Sequence, residues 1–352
     1  MLVDTLLSND LAEAARGAEA AEHAGYDCAV VAETNHDPFL PLALAASSTE
    51  RLQLGTSIAI AFSRTPMTMA QVAWDLNSYS QGRLLLGLGT QVQSHIERRF
   101  SMPWSRPTSR MREFLSALRA IWDSWQNETR LNFRGEFYTH TLMIPAVAPE
   151  PSPFGGPKVF LAALGPAMVT LAAEVADGMT AHAFTTERYL REVVLPRLEA
   201  GLGRTGRTRD QFQLSCAAFV VTGRTENEMQ AALTEARKQI ASYAAIGTVQ
   251  GYRQVLEYHG WGRLQPTLNL LAKEGQWDEM GRFVDDEMLQ AFAVVGEPSQ
   301  LAAKLVDRFD GFADRVRCYT PSTTDRKWFD ETVANAMTAL RGAPRSQLRP
   351  DR

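Results

Sequence analysis

Apolar residues in this chain fall into two kinds of run that alternate along its length. Near the middle of the first third, a continuous apolar run, Leu52–Phe62, precedes an amphipathic run, Thr68–Tyr79, and a second continuous run, Arg83–Leu88. In the amphipathic run, apolar positions recur every three or four residues, which is the period of one helix face. The continuous runs are typical of strands covered on both faces, as in a parallel sheet. The segment therefore predicts a strand–helix–strand unit.

The same alternation continues along the chain and predicts a barrel of strands and helices. The predicted strands are the short apolar runs Leu2–Leu7, Cys28–Val31, Leu52–Phe62, Arg83–Leu88, Val159–Ala163, Gly178–Ala181, Phe212–Val221 and Val316–Tyr319. The predicted helices are Leu11–Ala24, Phe39–Ser48, Thr68–Tyr79, Ser109–Trp125, Ala167–Ala176, Glu187–Ala200, Glu226–Ile246, Tyr252–Tyr258, Ser299–Phe309 and Arg326–Leu340. This order favours an α/β fold, a (β/α)8 TIM barrel with a long insertion before the eighth strand. Residues 1–341 then form a single domain, and we expect residues 342–352 to be a disordered tail.

Composition limits the class of protein further. The net charge is −4 and no long basic run is present, which argues against nucleic acid as a partner. Cys28, Cys216 and Cys318 lie far apart in strand-like runs, which is typical of buried thiols in a reducing compartment. No apolar run is long enough to span a bilayer, and no charged leader precedes the first strand. We therefore expect a cytoplasmic protein without a membrane partner.

Motifs for nucleotides and metals are weak in this chain. The stretch from Gly201 through Gly203 to Gly206 matches G-x-G-x-x-G, but it follows a predicted helix and precedes a strand. A dinucleotide site needs the reverse order, so the stretch predicts a surface turn. The six histidines show no paired ligand spacing, and the sequence therefore predicts no metal site.

In a TIM barrel the active site lies at the carboxyl ends of the strands. The stretch Leu164–Met168 ends a predicted strand and opens a helix, where free N–H groups and the helix dipole favour an anion. It therefore predicts either a phosphate site or a helix cap without a ligand. The residues that would form this phosphate site are Gly165, Pro166, Ala167 and Met168.

Several short motifs, taken together and in order, resemble one known family. They are Glu33-x-x-His36-x-Pro38-Phe39, Leu54-Gly55-Thr56-Ser57-Ile58, Ser80-Gln81-Gly82-Arg83 leading to Gly87-Leu88-Gly89, Phe133-Arg134-Gly135-Glu136-Phe137-Tyr138, and Leu164-Gly165-Pro166 with Ala176-Asp177-Gly178. The chain thus resembles the bacterial luciferase-like monooxygenase superfamily, and within it most closely the F420-dependent (deazaflavin) oxidoreductases. The resemblance runs from residue 1 to about residue 340.

This resemblance implies an enzyme that transfers a hydride between coenzyme F420 and an unidentified small organic substrate. An FMN-dependent monooxygenase supplied by a separate flavin reductase is the alternative within enzymes. A non-catalytic flavin-binding relative is the alternative outside them. The resemblance also implies a homodimer formed through helices beside strands two to four, where Met67, Met69 and Trp74 could supply apolar surface.

The resemblance assigns roles to individual residues at the barrel mouth. Ser57 and Ile58 would form a non-proline cis peptide that supports the cofactor ring, and Thr90 and Gln91 would follow the fourth strand beside it. The catalytic residue would be His36, since a histidine accepts or donates a proton near neutral pH. Two further side chains would assist: Glu33 would orient His36 or simply cap the loop, and His182 would contact the cofactor phosphate or the core.

Overall fold

Eight parallel strands close into a barrel in the computed structural model, which describes residues 1–247, 249–320 and 325–342. In chain order the strands are β1 (Leu2–Leu6), β2 (Cys28–Val31), β3 (Gln53–Thr56), β4 (Ala59–Ile60), β5 (Leu84–Gly89), β6 (Phe133–Arg134), β7 (Thr139–His140), β8 (Lys158–Ala163), β9 (Gly178–Ala181), β10 (Gln213–Val221), β11 (Ala293–Val295) and β12 (Arg315–Tyr319). The barrel order is β1-β2-β3-β5-β8-β9-β10-β12, and β12 pairs with β1 to close it. The predicted (β/α)8 barrel is confirmed.

Helices surround the barrel. They are α1 (Leu11–Ala24), α2 (Phe39–Ser48), α3 (Pro66–Tyr79), α4 (Gln93–Arg98), α5 (Pro107–Gln126), α6 (Pro166–Val175), α7 (Glu187–Tyr189), α8 (Leu195–Arg204), α9 (Glu226–Ala244), α10 (Gln250–Tyr258), α11 (Leu264–Lys273), α12 (Trp277–Gly281), α13 (Asp286–Phe292), α14 (Leu301–Phe309) and α15 (Arg326–Gly342). A π-helical segment, Leu190–Val194, joins α7 to α8. Local chemistry explains the helix starts: Asp10 caps α1, and Thr65 forms a capping box with Thr68 at the start of α3.

The predicted third strand, Leu52–Phe62, is divided in two. It runs as β3 to Thr56, contains a cis peptide between Ser57 and Ile58, and resumes as β4 beside β5. A Cβ atom on Gly87 would lie 2.0 Å from the carbonyl oxygen of Thr56, so only glycine permits this approach of β3 to β5. The position of the end of β3 beside β5 therefore requires glycine at residue 87 of the neighbouring strand.

The segment between β10 and β12 contains elements that the sequence did not predict. Short helices α11, α12 and α13 lie there, together with β11, which pairs in parallel with β10. The surface turn predicted over Gly201–Gly206 is confined to its end, because Gly201 is buried in α8 and a Cβ there would lie 2.6 Å from that of Ala173. Only Gly206 adopts a left-handed turn, with φ of 68°. The predicted disordered tail lies outside the described residues, apart from Gly342.

The barrel interior contains both apolar and polar side chains. Cys28, Val30, Leu85 and Phe160 form an apolar cluster separate from the main core between sheet and helices. Val30, Leu85 and Phe160 line a void of about 20 Å³ together with polar side chains, of which Thr180 is half-buried and the others are buried: Asp4, Thr180, Ser215, Arg315 and Arg317. The three cysteines are free and buried, as predicted.

A buried ion pair crosses the place where the barrel closes. Arg315 on β12 donates to both carboxylate oxygens of Asp4 on β1, at 2.8 Å from Nη2 to Oδ1 and 2.9 Å from Nε to Oδ2. Its Nη1 donates to Gln53 Oε1 on β3 at 2.9 Å. Because only 1% of the Arg315 side chain is exposed, these partners replace the water that it loses on folding.

Two of the side chains expected at a dimer interface lie in the core instead. Met69 is fully buried and Trp74 nearly so, because α3 turns these side chains towards the sheet and α5. Exposed apolar side chains are found on α2, at Leu40 and Leu44. The homodimer itself stays a prediction.

Within the described ranges, no helix has the length and apolar character needed to cross a membrane.

We predict that Asp4→Asn lowers the free energy of unfolding by about 3–5 kcal/mol, because it leaves the buried charge of Arg315 without a partner. Denaturant unfolding at neutral pH measures the change. The control is Asp4→Asn combined with Arg315→Met, which removes both charges and should restore much of the lost stability. A loss below about 1 kcal/mol for Asp4→Asn alone would show that the pair is unimportant for closing the barrel.

Candidate functional site

A cavity of about 530 Å³ opens at the carboxyl ends of the barrel strands. Its wall combines the loops after β2, β3, β5, β8 and β9 with helices α9 and α10. Most of the predicted site residues line it: Glu33, Ser57, Ile58, Thr90, Gln91, Gly165, Met168 and His182. The barrel therefore brings together residues that are up to about 150 positions apart in the chain.

Glu33 holds the wall rather than a histidine. Its Oε2 accepts from the backbone N–H of Ile60 at 2.6 Å, and Arg64 Nη1 binds both of its oxygens at 2.7 and 2.9 Å. Arg64 also binds Asp37 Oδ2 at 2.7 Å. The loop after β2 is thereby tied to the end of β4. The prediction that Glu33 orients His36 is not what the structure shows, because both oxygens of this carboxylate have other partners.

His36 lies in the same loop with its side chain exposed, and it does not line the cavity. Pro166 and Ala167 occupy the first turn of α6 and also stay outside the lining, with Ala167 exposed. The predicted catalytic role of His36 and the predicted cofactor contacts of Pro166 and Ala167 stay predictions. What places Pro166 in this turn is backbone chemistry, since its missing N–H has no partner to lose there.

Two helices begin side by side at one end of the cavity. Gly165 is the N-cap of α6, and Gly251 lies in the first turn of α10, so that a Cβ on Gly251 would come within 3.3 Å of the Gly165 nitrogen. The N-caps, Gly165 and Val249, have no side chain that can satisfy the first-turn N–H groups. Beside them the Oε1 atom of Gln254 is buried without a hydrogen-bond partner among the described residues. This end of the cavity is suited to an anion.

His182 and Tyr252, which follows Gly251 in α10, form a directed hydrogen-bond chain on the cavity wall. The backbone N–H of Phe184 donates to His182 Nδ1 at 2.9 Å, so this nitrogen is an acceptor and the neutral ring has its proton on Nε2. Nε2 then donates to Tyr252 Oη at 3.3 Å, which leaves the Tyr252 hydroxyl proton directed elsewhere. Burial lowers the pKa of His182 to about 4, with a smaller contribution from the charge of Arg317, so the ring is neutral at pH 7.

Aromatic side chains surround this chain. The ring of His182 lies 4.8 Å from that of Tyr243 and 5.1 Å from that of Tyr252. Burial raises the pKa of Tyr243 to about 12 and moves that of Tyr252 in the same direction, so both hydroxyls keep their protons at neutral pH. Tyr252 is therefore a hydrogen-bond donor at the cavity wall.

The sequence did not predict Tyr243, Tyr252 or Arg317 as site residues. Both tyrosines belong to helices of the long segment before β12, and nothing local shows that these helices return to the mouth. Arg317 had a readable signal, because Arg315 and Arg317 alternate in an otherwise apolar strand and must share one face. Among the described residues, no cluster of three or more His, Cys, Asp or Glu side chains could hold a metal.

Known proteins of similar sequence and structure match the whole barrel. The chain is 54% identical over 314 residues to an uncharacterized protein of Mycobacterium tuberculosis, covering 89% of this chain and 92% of that protein. The structure of F420-dependent tetrahydromethanopterin reductase from Methanopyrus kandleri gives a TM-score of 0.78 at 20% identity, covering 96% of this chain and 98% of that chain. The oxygenating constituent of 3,6-diketocamphane monooxygenase from Pseudomonas putida, in complex with FMN, gives 0.69 at 16% identity, covering 95% and 94%.

The family model for luciferase-like monooxygenases matches residues 3–315, which is nearly the whole described barrel. The sequence resemblance is thereby confirmed at the level of the family, and it extends to F420-dependent relatives. The chain belongs to the luciferase-like monooxygenase family of oxidoreductase enzymes.

Proposed function

We propose that the protein is an F420-dependent oxidoreductase that transfers a hydride between the deazaflavin and a small organic substrate. The observation that carries a cofactor with a ring and an anionic tail is the cavity, which joins an end suited to an anion at Gly165 to a wall formed by Ser57 and Ile58, and the choice of F420 is supported by the similarity to F420-dependent relatives. A ring system with a phosphate-bearing tail matches such a two-ended site. When bound, the deazaflavin supplies a ring carbon that accepts or donates the hydride.

The phosphate of the tail would lie where α6 and α10 begin. Their first-turn N–H groups and positive dipole ends favour an anion there. Gln254 adds a side-chain amide whose Oε1 lies 3.3 Å from the Cβ position of residue 165. Because that oxygen accepts no hydrogen bond from the described residues, a half-turn of the amide would present its NH2 group to the phosphate without breaking one of them.

The ring of the cofactor would lie against the wall after β3. This wall is held from several directions: Ser57 N donates to Val31 O at 2.8 Å, Glu33 N donates to Ile58 O at 3.1 Å, and Glu33 binds Ile60. The Ile58 side chain covers Gly89, so that a Cβ on this glycine would lie 2.9 Å from Ile58 Cδ1. A fixed surface of this kind holds a planar ring in one orientation, which a hydride transfer requires.

Protein groups at the mouth would position the substrate. Tyr252 offers an O–H that can donate to a substrate oxygen, and the neutral ring of His182 keeps that O–H directed away from itself. A hydrogen bond of this kind stabilises the partial negative charge that a carbonyl oxygen acquires as its carbon accepts a hydride. His36, on the exposed loop, stays the proposed proton acceptor or donor at the rim.

An FMN-dependent monooxygenase is the second candidate. It is favoured by the similarity in fold to the FMN-bound monooxygenase component of Pseudomonas putida. Both cofactors carry a phosphate beyond a three-ring system, so the anion-binding end at Gly165 suits either of them. The two candidates differ in the reaction of the bound cofactor, which is hydride transfer for F420 and oxygenation of the substrate for FMN. The first experiment that distinguishes them compares the affinities of the protein for the two cofactors.

We predict that purified protein binds F420 more tightly than FMN or FAD. Parallel fluorescence titrations with the three cofactors, in one buffer and at one protein concentration, measure the three dissociation constants. Tighter binding of FMN, with consumption of O2 when a flavin reductase supplies reduced FMN, would replace the proposal by the monooxygenase. Binding of neither F420 nor FMN would contradict both candidates.

We predict that Gly165→Val weakens cofactor binding at least tenfold, or about 1.4 kcal/mol, because the new side chain occupies the space between the two helix starts. The matched control is Gly203→Val, since a Cβ at this exposed helical glycine meets nothing within 4 Å. Circular dichroism and thermal unfolding establish that both variants fold. Unchanged affinity in folded Gly165→Val would move the phosphate away from this end, and His182 would be the next contact to test.

A further inference from the structure

One buried cation in the cavity has no carboxylate partner among the residues that the structure describes. Arg317 on β12 is 5% exposed and lines both the cavity and the void of about 20 Å³ below it. Its Nη2 donates to Tyr319 Oη at 3.1 Å, and its guanidinium lies 5.0 Å from the centre of the same ring. Its Nε is buried and has no hydrogen-bond partner in the part of the chain that the structure describes.

Arg315 provides the direct comparison, because it lies two residues earlier on the same strand and the same face. It is 1% exposed and has a two-pronged ion pair with Asp4 and a hydrogen bond to Gln53. Arg317 is buried almost as deeply without such an arrangement. One strand therefore presents one neutralised guanidinium and, above it, one that is not neutralised.

The nearby carboxylates are already in use. Both oxygens of Asp4 are bound by Arg315, and both oxygens of Glu33 are bound by Arg64. No ion pair of Arg317 is found among the described residues. Asp4 acts on Arg317 only at longer range, so two guanidinium charges share one carboxylate in the barrel interior.

The remaining polar groups around the cavity do not supply a negative charge either. The tyrosine hydroxyls of residues 243 and 252 keep their protons, and His182 is neutral at pH 7. The charge of Arg317 is itself one of the two causes that hold the pKa of His182 low. A buried charge without a partner is unfavourable for folding, so its presence here indicates a ligand that neutralises it.

We propose that Arg317 binds an oxyanion of the substrate, so that the enzyme acts on small molecules bearing a carboxylate or phosphate group. The cofactor phosphate has its own place at the helix starts near Gly165, which makes Arg317 a second anion site in the same cavity. Tyr252 and Tyr319 lie on the cavity wall with it and complete a site with one cation and neutral donors. The assignment of this anion to the substrate rests on the proposed function, whereas the anion site itself does not.

Benzoate and benzamide test the site, since they share a shape and differ in charge. Isothermal titration measures both on protein without cofactor and on protein saturated with F420. We expect wild-type protein to prefer benzoate at least tenfold, Arg317→Gln to lose the preference, and Arg317→Lys to keep part of it. If F420 does not bind, the titrations on protein without cofactor decide the question of the anion site by themselves.

Thermal unfolding of protein without ligand gives a second, independent readout. We expect Arg317→Met to leave the unfolding temperature unchanged or to raise it, because an unpaired buried charge is removed. Arg315→Met, the matched control on the same strand, should lower it, because Asp4 is left unpaired. An unchanged benzoate preference in folded Arg317→Gln would overturn the proposal. A loss of stability in Arg317→Met equal to that of Arg315→Met would show that the charge of Arg317 is neutralised within the protein, and it would overturn the proposal as well. A tenfold loss of F420 affinity in Arg317→Gln without loss of the benzoate preference would assign Arg317 to the cofactor and also overturn it.

Discussion

The ion pair between Asp4 and Arg315 joins the first and last strands of the barrel, and the geometry of the mouth depends on that closure. A parallel sheet closes only if its final strand meets its first in a fixed register. Here the pairing of β12 with β1 is accompanied by a buried contact that also reaches Gln53 on β3. The positions of side chains nearer the mouth, including Arg317 on the same strand, depend on this closure of β12 on β1. The cavity is therefore a consequence of how the barrel closes.

The two sides of the cavity are built on different principles. On the side of β2 to β5, backbone hydrogen bonds and the Glu33–Arg64 ion pair fix a wall in which few atoms can shift. On the other side, helices α9 and α10 bring Tyr243 and Tyr252 over the mouth from a segment outside the barrel repeat. A chain can change the second side without disturbing the first. In the proposed function the cofactor ring lies against the first side, whereas the second side carries both Tyr252, which faces the substrate, and the start of α10, which faces the cofactor phosphate.

Much of the fold could be predicted from the sequence, because continuous apolar runs arise from strands buried on both faces and a period of three to four residues arises from helices buried on one face. The division of the third strand could not, since the position of the end of β3 beside β5 requires Gly87 in a different strand. The family resemblance predicts Met69 and Trp74 at the surface of an interface helix, whereas the orientation of α3 buries both side chains. In the site, residues directly after strands were predictable. Tyr252 was not, because its contact with His182 joins positions 70 residues apart.

The hydrogen-bond chain that ends at Tyr252 has a fixed polarity. It starts at the backbone N–H of Phe184, which can only donate, and each later member must therefore pass a hydrogen onwards in the same direction. The end of the chain therefore offers the hydroxyl proton of Tyr252, which favours a ligand atom with a lone pair, such as a carbonyl oxygen. Since the origin of the chain is a main-chain atom, substitution of the side chain at position 184 leaves this rule of recognition in place. The discrimination is thereby protected from most mutations at its source.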